Sequence, residues 1–400
     1  MRLSSKLFGV VLLLADAIAA HPGHDIAHEA AERRQFLNSV QRSSISHCAD
    51  KLKARGVQAR NIARRSAQIS QVRQQHGLRK RSLDSVLSAS HNQTDAGYTL
   101  NTDASTLFAG NNSCVLTPEV TQGPYCTLHL QLFILLDFFL TSLTDVAGEY
   151  VRENIIESQE GVHMVLDYQV VDVNTCDPVP DVYLEMWHCN STGVYSGIVA
   201  SGNGDSSDGS NINNTWLRGI QKTDCDGVAQ FQSVFPGHYT SRATHIHIMV
   251  HANATLLPNM TLGRENYASH VGQAFFDQDL IAQVEKLEPY ASNTQELTKN
   301  AADGILSEET ATDGVDPFME YTLLTDDIQD GIFAWLAFGI NTTGSDSIVP
   351  AAYYYKGGGV SNGNAGMGNH TGGGNDSAPG GGSPPSGLSR APASITATGV

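Results

Sequence analysis

From about residue 160 onward, apolar and polar positions alternate in short runs separated by turn residues. VHMVLDYQVVDVN (162–174) and VYLEMWHC (182–189) have a period of two and many β-formers, so both are expected as strands. Pro178 and Pro180 mark the turn between them. TDCDGVAQFQSVFPGHY (223–239) sets a short strand between an Asp-Gly turn and a Pro-Gly turn, and RATHIHIMVHAN (242–253) is the next strand. GIFAWLAFGI (331–340) is apolar throughout and reads as a buried strand. Short strands with this punctuation predict an all-β fold, a β-sandwich of mainly antiparallel strands.

Helical patterns lie outside that core. Residues 25–76 are rich in Ala, Gln and Arg and contain no proline, which predicts a helical N-terminal segment. Gly77 then suits a helix stop, and a basic cluster, Arg79-Lys80-Arg81, follows. DQDLIAQVEKLEPY (277–290) predicts one further helix, N-capped by Asp277 or Asp279. The domain reading is a signal peptide over 1–20, a basic helical arm or pro-segment with a linker over 21–105, the β-sandwich over 106–345, and a Gly/Ser/Pro-rich disordered tail over 346–400.

Composition sharpens this picture. The first 20 residues have a basic start, an apolar run too short to span a bilayer, and small residues around Ala17, Ala19 and Ala20, so export is expected, with no membrane span. Glycosylation sequons begin at Asn92, Asn111, Asn190, Asn213, Asn253, Asn259, Asn341, Asn369 and Asn375, a density consistent with a secreted, extracellular chain. Six cysteines in an oxidising compartment allow 15 pairings, among which the sequence does not choose. Net charge is −17, yet residues 21–82 hold 13 Lys/Arg against 4 Asp/Glu, so the acidic excess belongs to the body of the chain. That balance argues against nucleic acid or an anionic membrane as partner.

The candidate chemistry starts at HIHIMVH (245–251). Alternate residues of a strand share a face, so His245, His247 and His251 point one way and Ile246, Ile248 and Val250 the other. His245 and His247 stand about 6.6 Å apart at strand rise and can reach one ion, whereas His251 lies about 13 Å beyond them. Tyr239 and Arg242 lie just upstream, and Tyr195 follows another strand and turn. Phenolate oxygens are hard, strongly donating ligands that suit Fe(III).

Five stretches together, LTPEVTQGPY (116–125), PVPDVYLEMWHCNSTGVYSG (178–197), TDCDGVAQFQSVFPGHY, RATHIHIMV (242–250) and VGQAFFDQDL (271–280), resemble the intradiol ring-cleavage dioxygenases, and most closely their secreted fungal branch. The resemblance implies a non-haem Fe(III) site with Tyr195, Tyr239, His245 and His247 as ligands. It implies that Tyr239 doubles as a base, that Arg242 stabilises developing negative charge, that Gln273 orients the reacting molecule, and that Tyr125 lines the substrate pocket. The implied reaction cleaves a catechol between its two hydroxylated carbons with O2, giving a muconate-type diacid. The alternative is a secreted β-sandwich binding module with a degenerate or blocked metal site. His188 and His238 have no ligand role in the family and read as surface or supporting residues; His163, His251 and His270 read as structural or solvated. Family members are often dimeric through N-terminal helices, which leaves a homodimer open. CTLHLQLFILLDFFLTSLTD (126–145) interrupts the resemblance and reads as an insertion, from a gene-model error such as a retained intron.

Overall fold

The computed structural model describes residues 45–77, 113–115, 140–141, 146–263, 267–268, 270–310, 315–344 and 346–362. Among them the main strands are β1 (Ser113–Val115), β2 (His163–Asp172), β3 (Tyr183–Trp187), β4 (Arg218–Lys222), β5 (Val228–Val234), β6 (His245–His251), β7 (His270–Phe275), β8 (Glu320–Leu323) and β9 (Ile332–Ile340). Three short strands follow, β10 (Asp346–Val349), β11 (Ala352–Tyr355) and β12 (Gly358–Ser361). One sheet has the order β1-β9-β2-β5, with β8 also on β9; the other has the order β7-β6-β3-β4. The second sheet is antiparallel throughout. The first is mixed, because β9 runs parallel to both β1 and β2.

The two sheets bury their facing side chains in one core. Met164, Leu166, Tyr168 and Val170 of β2 and Leu336, Phe338 and Ile340 of β9 meet Leu184 and Met186 of β3 and Ile246, Ile248 and Val250 of β6. The period-two reading of these strands thus selects the core face correctly. The all-β sandwich expected from the sequence is the fold observed.

The outer face of the first sheet is covered by the basic arm. Its helices are α1 (Ala49–Ala54) and α2 (Val57–Gln75). The buried residues of α2, namely Val57, Asn61, Arg65, Ile69 and Val72, recur at helical spacing and form one face. Ile69 and Val72 pack on Val165, Phe333 and Trp335. The polar members of that face find matched partners. Asn61 Nδ2 donates to Gln169 Oε1 at 2.6 Å. Arg64 donates to both oxygens of Asp167 at 2.9 Å, Arg65 Nε donates to the same carboxylate at 3.1 Å, and Gln230 Nε2 adds a bond at 2.7 Å. The Arg65 guanidinium also lies 5.3 Å from the centre of the Trp335 ring. A disulfide, Cys48–Cys176, joins the arm to the loop after β2 across 128 residues.

One boundary differs from the sequence reading: residues 346–361, assigned there to the tail, form β10, β11 and β12. The β-formers in IVPAAYYY (348–355) explain this: Ala352 and Tyr353 pair with Val146 and Ala147, and Ile348 and Val349 with Leu140 and Thr141. Asp277 takes the N-cap position of α3 (Gln278–Val284). The signal segment, most of the suspected insertion and the chain beyond 362 lie outside the described residues.

Asp167 yields a test. Burial alone would raise its carboxyl, but the Arg64 and Gln230 hydrogen bonds and the two guanidinium charges hold it down at about 2, against an ordinary 3.8. A depressed carboxylate stabilises the fold fully above its ordinary value and loses that contribution as pH falls through its folded value. The share of stability due to Asp167 should therefore be constant above about pH 4 and vanish towards pH 2. Asp167→Asn removes the carboxylate that Arg64 and buried Arg65 share and is expected to cost about 3–5 kcal/mol in denaturant unfolding at neutral pH. The gap between variant and wild type should close on acidification; a gap independent of pH would show that the charge of Asp167 is irrelevant.

Candidate metal centre

The outer face of the second sheet is where β6 presents its odd-numbered residues. All seven residues of this strand are buried, so the histidine face is not a wet one. Trp187 of β3 and Met249 of β6 form a second apolar cluster with Cys189, Tyr195, Ile198, Tyr239 and Val271. The loop after β3 brings in Tyr195, and the loop after β5 brings in Tyr239.

Four donor atoms converge there. Tyr195 Oη lies 3.1 Å from His247 Nε2 and 3.4 Å from Tyr239 Oη; Tyr239 Oη lies 3.2 Å from His245 Nε2; the two Nε2 atoms are 3.2 Å apart. Ligand atoms in a tetrahedral array roughly 2.0–2.1 Å from one ion stand about 3.3–3.4 Å apart. The two phenols and two imidazoles therefore fit a single hard or borderline cation in the arrangement they already have. Burial pushes both phenols well above their ordinary value of 10, so each stays protonated until a cation favours the phenolate.

Each donor is held from behind. The His245 Nδ1–H donates to the Ala243 carbonyl at 2.6 Å, which leaves the Nε2 lone pair facing the centre. The His247 ring is stacked on the indole of Trp187, with centroids 4.9 Å apart and planes 2° from parallel. Buried Asn203 accepts from the Tyr195 amide at 2.7 Å, and Asn203 and Asn211 both donate to its carbonyl at 2.9 and 2.8 Å. Arg218 donates to Ser196 O and pairs with Glu149 at 3.0 Å, fixing the same loop to the entry segment. Tyr239 sits in a tight turn that closes on Arg242, with Ser241 at φ +77°.

Arg242 and Gln273 are beside this group and fully buried. Arg242 Nε donates to Asp303 Oδ2 at 2.9 Å, and Arg242 Nη2 to Gln273 Oε1 at 2.6 Å. Gln273 is cross-strand from His247, which explains its reach. Its Nε2 is buried and makes no hydrogen bond among the described residues. Asp303 also accepts from the Ala243 and Leu306 amides, so one carboxylate ties the arginine to the start of α4 (Gly304–Glu309).

The structure thus gathers Tyr195, Tyr239, Arg242, His245, His247 and Gln273, and it leaves His251 out. His251 Nε2 instead meets Glu185 Oε2 at 2.7 Å. Tyr125 lies outside the described residues. His188 is not a surface residue: it is buried between Cys189 O and Ser233 Oγ, and burial lowers it to about 4. His238 is buried too, bonded to Glu285 and the Gln295 carbonyl. Sequence reasoning missed Asp303, Asn203, Asn211 and the stacking of Trp187, none of which carries a local motif. A separate group, His47 with Cys48 and Cys176, has its two sulfurs joined to each other and is no metal site.

Residues 138–260 match the family model described as "Dioxygenase", a span that holds both tyrosines, both histidines and Arg242 and stops before Gln273. No curated protein matches the chain. Among solved structures, an intradiol ring-cleavage dioxygenase from Tetranychus urticae is 28% identical, with 59% of this chain and 99% of that one covered and a TM-score of 0.41. The dioxygenase domain of a carbohydrate-binding fusion protein from Streptomyces sp. SirexAA-E is 19% identical over 56% of this chain and 97% of that one, with a TM-score of 0.31. Catechol 1,2-dioxygenase from Pseudomonas arvilla C-1 is 17% identical over 50% of this chain and 60% of that one, with a TM-score of 0.30.

The packing of the tyrosine loops can be tested directly. A β-carbon on Gly237 would lie 2.5 Å from the carbonyl oxygens of both Asn190 and Ser191, and backbone cannot swing aside as a side chain can. Gly237→Ala should therefore destabilise the protein by about 1–3 kcal/mol. Gly209, whose β-carbon would meet nothing within 4 Å, is the control, and Gly209→Ala should change stability by less than about 0.5 kcal/mol. Equal unfolding midpoints for the two variants would refute the close approach of the loops.

Proposed function

We propose that this protein is an extracellular, non-haem Fe(III) dioxygenase. It cleaves catechol-type rings between the two hydroxylated carbons, and both atoms of O2 enter a muconate-type diacid. The closed set of Tyr195 Oη, Tyr239 Oη, His245 Nε2 and His247 Nε2, with edges of 3.1–3.4 Å, carries the reading. The match of residues 138–260 to a dioxygenase family supports it. The Cys48–Cys176 disulfide supports an oxidising compartment. Among the described residues no helix is long and apolar enough to cross a membrane.

Tyr195, Tyr239, His245 and His247 would hold the iron. Bound there, Fe(III) supplies Lewis acidity toward a chelating catechol and makes its ring reactive toward O2. The chain supplies the rest. On this reading Tyr239 Oη takes a hydroxyl proton from the substrate, acting as ligand and then base. The free N–H of Gln273 Nε2 is a buried donor that a substrate oxygen can use, and its orientation is set by Arg242. Arg242, already ordered by Asp303, needs no reorganisation to meet negative charge developing near the ring.

The purified protein, examined in air, should be red-brown from tyrosinate-to-Fe(III) charge transfer and should convert catechol to muconate with uptake of O2. Chelation should remove colour and activity together, and added Fe(III) should restore both. Tyr239→Phe should bleach part of the band and slow cleavage by about 100- to 10,000-fold; an unchanged spectrum would show that Tyr239 is not a ligand. A colourless, iron-free protein that still binds catechols would favour a binding module instead.

A further inference from the structure

The two tyrosines come from loops 44 residues apart in sequence, and neither lies in a strand of the sheets described above. Sheet register therefore does not set the distance between their hydroxyls. A third segment does touch both loops. Asn293 Nδ2 donates to His238 O at 2.8 Å and to Ser191 O at 3.4 Å. Gln295 Nε2 donates to Thr192 O at 2.9 Å and to Gly193 O at 3.3 Å, and its Oε1 accepts from the Thr240 amide at 3.3 Å. His238 Nε2 closes the set on the Gln295 carbonyl at 3.0 Å. Asn293 Oδ1 accepts from the Gln295 amide at 3.0 Å, so the two residues also brace each other.

This segment is itself fixed to the core. Tyr290, 1% exposed, donates through its hydroxyl to Phe235 O at 2.7 Å and accepts from the Val162 amide at 3.1 Å. The loops it joins approach as closely as glycine allows. A β-carbon on Gly193, at φ +78°, would lie 2.1 Å from His238 O and 2.4 Å from Gln295 Nε2. Two polar side chains thus bridge the backbone just before Tyr195 to the backbone on both sides of Tyr239, from a base that the core holds still.

We propose that Asn293 and Gln295 are positioning residues that set the spacing of the Tyr195 and Tyr239 ligands. The inference rests on the iron-site reading. Neither residue touches a donor atom; each acts on the loop that carries one. Partners behind metal ligands commonly alter metal affinity by about 10- to 100-fold when removed.

The test compares wild type with Asn293→Ala, Gln295→Ala and Gln295→Glu, each first loaded with Fe(III). Both alanine variants should release iron to a chelator about 10- to 100-fold faster than wild type and should show a displaced charge-transfer band. Gln295→Glu keeps the acceptor for Thr240 but loses both donors to the Tyr195 loop, so it should resemble Gln295→Ala in iron release. Hydrogen exchange on the metal-free proteins adds a readout independent of iron: amides in both 190–195 and 237–240 should exchange faster in the alanine variants, while β6 stays unchanged. Wild-type release and wild-type spectra in variants that do hold iron would overturn the proposal, whatever their thermal stability. Loosening of only one loop would overturn the bridging role. A wild-type protein that binds no Fe(III) would sink the iron reading itself, a result separable from the other two because it appears before any variant is compared.

Discussion

The fold turns on a single strand that has no wet side. The inner face of β6, Ile246, Ile248 and Val250, is part of the sandwich core. Its outer face, His245, His247, Met249 and His251, is equally dry, and the first three of these lie under the tyrosine loops. A sheet face shielded in this way offers imidazoles rigid backbone support and a low local dielectric, where charge interactions act most strongly. A polar side chain on such a face requires a partner. For His251 the partner is Glu185; for His245 and His247 the setting is a cluster of four donor atoms.

Both outer faces of the sandwich are covered, by opposite means. Loops rich in aromatic residues close the second sheet. On the first, a basic helix lies over a face that contains Asp167 and Gln169, and complementarity is polar as much as apolar. The bidentate Arg64 contact and the buried Arg65 contact converge on one carboxylate, while Asn61 meets Gln169. A buried network of this kind fixes register more than it adds net stability, because charge burial offsets much of the attraction. The disulfide at Cys48 then fixes the other end of the arm.

Legibility in the sequence followed the same division. Strands facing an apolar core were readable because a period of two survives in the residues themselves, as in Met164, Leu166, Tyr168 and Val170. The arm was readable as helix but not as a docked helix. Its buried stripe includes Asn61 and Arg65, which by composition look solvated, and only the facing Asp167 reveals their burial. The six residues of the candidate site were readable through motif spacing and family resemblance. Their supports were not, since Asp303 lies 61 residues from Arg242 and Gln295 lies 55 from Thr240. Such pairs leave no periodic or local trace. The late strands 346–361 were missed for a related reason: glycine-rich composition masked β-formers whose pairing partners lie at 140–141 and 146–147.

The Arg242 contact also changes how its charge is to be understood. From sequence it is a cation beside a metal site, suited to attract an anion. In the structure the Asp303 carboxylate, fully buried with it, balances that charge at Nε. What the pair presents to the centre is an oriented dipole, with Gln273 aligned at its positive end. A free buried cation would repel a metal ion across the same few ångströms, whereas a balanced pair does so far less. The arrangement therefore reconciles two demands on one small volume: a cation-binding cluster at the two tyrosines and two histidines, and a donor array beside it for the oxygen atoms of a substrate. Ordered side chains that carry no net charge meet both, because preorganised dipoles stabilise developing charge without themselves having to be neutralised when the site is empty.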